Sequence, residues 1–120
     1  MAEAIVKTNI MVTVSIKDEY ADILNTFGDL HDSIELALKR YVTEKISSKI
    51  DELKKKDAMY TRKYGMDYIV FSENITDDES FVKQLEKDIS KTWEIDMNDW
   101  EFSYKGIMDW TKKLQAILLA

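Results

Sequence analysis

Hydrophobic and polar positions alternate strictly in only one place, Asn9–Ile16. Ile10, Val12, Val14 and Ile16 fall on one side of that run, and Asn9, Met11, Thr13 and Ser15 on the other. A period of two with β-branched residues predicts a half-buried strand. No second stretch reads as a convincing strand, and a lone strand leaves its own N–H and C=O groups without partners. The pattern therefore predicts that the segment pairs with the same segment of another copy, as an intermolecular two-stranded ribbon.

Downstream the spacing changes to threes and fours. Lys17-Asp18-Glu19 predicts a helix start, with acids where the helix dipole favours them. Tyr20, Ala21, Ile23, Leu24 and Phe27 then form one face of a short helix, which Gly28 ends. A longer helix is expected from Asp29 or Leu30, its stripe running through Ile34, Leu38, Val42, Ile46, Ile50 and Leu53. Residues 57–75 are less regular, with Gly65 as a break and Asp67 as a cap for a short helix holding Tyr68, Ile69 and Phe71. Thr76-Asp77-Asp78-Glu79 has the form of a capping box opening a helix with Phe81, Val82, Leu85, Ile89 and Trp93. Asp96 is expected to cap a last helix, whose stripe is Met97, Trp100, Tyr104, Ile107, Met108, Leu114, Ile117 and Leu118. Phe102 and Trp110 lie off that stripe, so this helix is apolar on more than one side.

Charge divides the chain. Residues 1–64 carry eleven Lys/Arg against eleven Asp/Glu, whereas residues 65–120 carry six against twelve, so the whole net charge of −6 sits in the second half. That balance opposes nucleic-acid binding along the entire chain. It permits a neutral first half that touches nucleic acid and an acidic second half that meets something basic. There is no cysteine, which excludes disulfides and thiolate metal sites. The acid cluster at 77–79 is read as a helix cap, so no metal and no cofactor is expected. No apolar run is long enough to span a bilayer, and the start has no secretory-signal pattern, so a cytoplasmic location is expected.

The order of strand, short helix, glycine turn and longer helix over residues 9–53 resembles the ribbon-helix-helix family of DNA-binding dimers. The alternation Ile10-Met11-Val12-Thr13-Val14, the helix Asp18–Phe27, Gly28 and the run Ile34-Glu35-Leu36-Ala37-Leu38-Lys39-Arg40-Tyr41 carry the likeness. The resemblance implies a mainly α homodimer: an N-terminal ribbon-helix-helix domain over 1–56, followed by a helical, acidic partner-binding region over 57–120. It implies that the ribbon enters the major groove of operator DNA with Asn9, Met11 and Thr13, extended by Lys7. The start of the second helix, through Ser33, would bind a backbone phosphate. The groove face has no arginine, and Asp29 and Asp32 stand at that helix start, which departs from the family pattern.

A module of this kind followed by an acidic, aromatic-rich helical half is similar to antitoxins of bacterial or archaeal toxin–antitoxin pairs. That likeness implies transcription regulation and a cognate toxin held by Trp100, Phe102, Tyr104 and Trp110. The same aromatics could instead fill a core against Phe71, Phe81 and Trp93. The alternative from another class is a dimeric helical adaptor that never touches nucleic acid. An enzyme is not expected. His31, the sole histidine, reads as a first-turn residue, and three glycines provide no phosphate loop.

Overall fold

The computed structural model describes residues 11–119, and these form five helices: α1 (Asp18–Thr26), α2 (Leu30–Tyr64), α3 (Tyr68–Asp77), α4 (Glu79–Asp88) and α5 (Trp93–Leu119). Two compact units divide the chain, Met1–Ala37 and Leu38–Ala120.

The described residues contain no strand, which overturns the ribbon and, with it, the ribbon-helix-helix fold and the antitoxin likeness built on it. Asn9 and Ile10 lie outside the described residues. Met11 to Ile16 take no regular structure, and Met11, Val12 and Val14 are exposed although the alternation places them on opposite sides. A period of two becomes a strand only when a ladder partner and a covering layer exist. Nothing among residues 11–119 offers this segment a second extended edge.

The described part of the first unit is the segment from Met11, then α1 and the start of α2. α1 begins where the pattern predicts, with Asp18 and Glu19 in its first turn. Gly28, at φ +150°, makes the bend into α2, in a region that side chains with a Cβ rarely enter. Asp29 Oδ2 accepts the Asp32 N–H at 3.1 Å, and Ser33 Oγ donates to the Leu24 carbonyl at 3.4 Å. α1 buries none of its residues.

In the second unit, α2 runs on to Tyr64 because neither proline nor glycine interrupts residues 30–64. Gly65, at φ +74°, ends it, and its N–H closes onto the Thr61 carbonyl at 2.8 Å. Asp67 caps α3 through the Val70 N–H at 2.9 Å, as its position predicts. The expected capping box is corrected. α3 continues through Thr76, whose Oγ1 donates back to the Ser72 carbonyl, and Asp78 caps α4 by accepting the Phe81 N–H at 3.1 Å. Asp78, at φ −137° and ψ 100°, is where the chain leaves helical geometry, two residues later than the capping box requires. Asp96 is likewise not the cap of α5, which starts at Trp93; its carboxylate turns to α2 instead.

The antiparallel course of α2 and α5 follows from their contacts. As α5 rises from Asp96 to Asp99 to Gly106, its partners on α2 descend from Lys63 to Lys56 to Leu53. The core lies at one end of this pair, where α3 and α4 close over it. It comprises Tyr60, Tyr64, Tyr68, Phe71, Leu85 and Trp100, drawn from all four helices of the unit. Trp100 and Phe71 are completely buried. The Trp100 ring lies 5.1 Å from Phe71 and 5.6 to 5.8 Å from Tyr60, Tyr64 and Tyr68 between centroids. Tyr60 and Phe71 tilt against the indole, Tyr68 meets it edge-on and Tyr64 stacks on it with its centroid offset, arrangements that aromatic quadrupoles favour.

Candidate protein-docking surfaces

The polar seam between α2 and α5 explains why the C-terminal acids are not simply a solvated surface. Tyr60 Oη donates to Asp99 Oδ2 and Tyr64 Oη to Asp96 Oδ2, both at 2.6 Å. Lys56 and Lys63 reach the same two carboxylates at 3.0 and 2.6 Å. On Asp96, partial burial works against ionisation, but the hydrogen bonds from Lys63 and Tyr64 outweigh it and hold the carboxyl below its usual range. Asp99 is held low by the Tyr60 phenol and then by Lys56. Burial, followed by these hydrogen bonds to carboxylates, pushes both phenols far above their ordinary value. Tyr68 shifts the same way, through burial and its bond to Glu101. These groups pair with one another across α2 and α5, so the seam fixes the register of the two helices.

The four aromatics expected to hold a partner separate into two kinds. Trp100 is fully buried, and Tyr104 is half-buried with its ring 5.1 Å from that of Tyr68. Phe102 is exposed, and half-buried Trp110 carries the Lys113 ammonium 4.4 Å from its ring centroid. Phe102 and Trp110 share an open groove of about 380 Å³ along α5. Its floor is Leu53 and Gly106, and its rim includes Lys105 and Asp109.

Of the residues expected on DNA, Met11, Thr13 and Ser33 fall among the described residues. Lys7 and Asn9 lie outside the described residues. Met11 and Thr13 are exposed on a segment without regular structure. Ser33 is half-buried, with its hydroxyl committed to Leu24. The first unit instead presents an apolar stripe that the sequence marked only as the face of a short helix. Tyr20, Ile23 and Phe27, three and four residues apart, are 59%, 59% and 80% exposed. The signal was there in the spacing, but spacing does not reveal whether a face is covered.

Other chemistry is sparse. No group of three His, Asp or Glu among the described residues could hold a metal ion. His31 stands exposed with Glu35 at 3.9 Å. No described helix is long and apolar enough to cross a membrane. Comparison with known proteins finds no matching family model, no similar curated protein and no similar solved structure. The resemblance to ribbon-helix-helix proteins thus has neither a strand among the described residues nor a relative behind it.

Proposed function

We propose that this protein is a non-catalytic adaptor: a self-sufficient helical unit that carries an N-terminal docking arm for another protein. The observation that supports this reading is the contrast between the units. Residues of α2, α3, α4 and α5 fill a common core, while α1, amphipathic by sequence, has no fully buried residue, only Ala21 and Leu24 being half-buried. A stripe of large apolar side chains left in water is the usual mark of a surface that completes itself on a partner. An amphipathic helix does this by laying its i, i+3 and i+7 residues into a groove. Operator binding lacks support of that kind, since its strand is absent among the described residues and Ser33 is engaged internally.

The test compares the full-length protein with the variant Tyr20→Ser/Ile23→Ser/Phe27→Ser, each purified from its native host. The variant should match the parent in urea stability to within about 0.5 kcal/mol, as exposed substitutions do. It should also lose a polypeptide that the parent retains in fixed stoichiometry. A variant that unfolds, or one that keeps the same stoichiometric partner, overturns the adaptor reading through α1.

A further inference from the structure

Burial along α2 changes abruptly at one residue. Ile46 is buried, and Ile50, Leu53, Tyr60 and Tyr64 are buried after it. None of residues 11–45 is buried. The apolar side chains that come closest, Ala21, Leu24, Leu30, Ile34 and Val42, are half-buried, while Leu36, Leu38 and Tyr41 are 57%, 58% and 61% exposed. The side-chain hydrogen bonds of Thr26, Asp29 and Ser33 close within residues 23–33. With no cysteine in the chain, no disulfide compensates so short a stretch for its missing core.

We infer that Ile46 is a folding boundary inside α2: residues 11–45 open and close while the helices around the core stay formed. From Ile46 onward each turn of α2 carries a buried side chain or the Asp57 acceptor of Trp100, so opening it exposes the interior. Before Ile46 a turn is held chiefly by helix propagation, whose equilibrium constant per residue is near one. Reclosing needs no new nucleus there, because residues 46–64 supply it. α1 has no such nucleus, and its 9 residues fall short of the length at which isolated helices persist in water. It therefore opens together with the first turns of α2. Few buried contacts and exposed backbone hydrogen bonds are the physical marks of a segment that opens far more readily than the whole molecule unfolds.

Under the docking reading of α1, this boundary makes capture a folding event. The contacts of a partner must then also order residues 11–45, which lowers affinity and makes helix formation upstream of Ile46 the signature of binding. The boundary itself does not depend on that reading, since it follows from burial in the free chain.

Native-state amide hydrogen exchange on the full-length protein tests it without a partner. Corrected for intrinsic rates, the amides of residues 34–45 should exchange at least about a hundredfold faster than those of residues 53–64. A smaller contrast overturns the boundary, including one flattened because a second copy covers residues 11–45. The variant Ala37→Pro gives an independent reading. Trp93, Trp100 and Trp110 all lie on α5, so their fluorescence follows the core and not the segment before Ile46. Ala37→Pro should weaken the far-ultraviolet helix signal and leave the tryptophan-fluorescence midpoint in urea unchanged to within about 0.5 M. A larger fall shows that a proline in the helix interior is felt by the core, and overturns the boundary. Either failure leaves the docking reading of α1 standing, because no partner enters these measurements.

Discussion

The indole nitrogen of Trp100 donates a 2.8 Å hydrogen bond to Oδ1 of Asp57, across the antiparallel pair of α2 and α5. Trp100 has no solvent exposure, so Asp57 is the acceptor that lets the largest side chain of the core carry a polar atom inward. Removing the acceptor in Asp57→Ala leaves a buried donor unpaired and should cost about 1–3 kcal/mol. Asp57→Asn keeps an acceptor oxygen and should cost less than half as much as Asp57→Ala. Trp100→Ala also opens a cavity beside Phe71 and the three tyrosines, and should cost about 3–5 kcal/mol. Urea titration followed by far-ultraviolet circular dichroism checks all three.

Stability should fall at both extremes of pH. Asp96 and Asp99 have folded pKa values below their unfolded ones. Below about pH 4 the unfolded chain therefore binds more protons, and the contribution present above that pH is lost as acid titrates the folded carboxylates. Tyr60, Tyr64 and Tyr68 shift upward, so their contribution is intact below about pH 10 and declines as pH rises toward the folded values. Denaturation midpoints measured across pH should show the acid limb flattened in Asp96→Asn/Asp99→Asn. The alkaline limb should flatten in Tyr60→Phe/Tyr64→Phe.

Gly106 lets α5 approach α2 at Leu53. A Cβ at Gly106 would stand 2.8 Å from Leu53 Cδ1, and Leu53 is buried among its neighbours. Gly106→Ala gains up to about 1 kcal/mol of helix propensity and loses about 1–3 kcal/mol to overpacking, for a net loss near 1 kcal/mol. The collision disappears when Leu53 is also shortened. The double variant Gly106→Ala/Leu53→Ala should therefore be more stable than the two single effects added together, by at least about 0.5 kcal/mol in a double-mutant cycle.

The corner between α3 and α4 distinguishes two capping schemes by mutation. Asp78→Ala removes the acceptor for the Phe81 N–H and should cost about 1 kcal/mol. Thr76→Ala removes only a hydroxyl bonded back within α3, and should change stability by no more than about 0.5 kcal/mol. A larger loss at Thr76 than at Asp78 would restore the capping box that the sequence suggested.

Several elements were legible from residue order because their causes are local. α1 starts at Asp18, Gly28 and Gly65 punctuate α2, and Asp67 caps α3; each is a matter of dipole, φ or one side-chain acceptor within a few residues. The helical stripe Ile46-Ile50-Leu53 was visible in the same way and is buried. The run at 9–16 misled because alternation is only half of a strand. The other half is a ladder partner, and no residue among those described supplies it. Asp96 and Asp99 also escaped local reading. Whether a carboxylate caps its own helix or accepts from Tyr64 or Tyr60 more than thirty residues away depends on which helix lies opposite. The same holds for the aromatics of α5. Their spacing placed Trp100 on the stripe and Phe102 off it, but only the packing of α3 and α4 against the α2–α5 pair decided that Trp100 is enclosed. That Tyr20, Ile23 and Phe27 remain in water is likewise a tertiary fact, because amphipathicity specifies a face and burial requires a second surface to cover it.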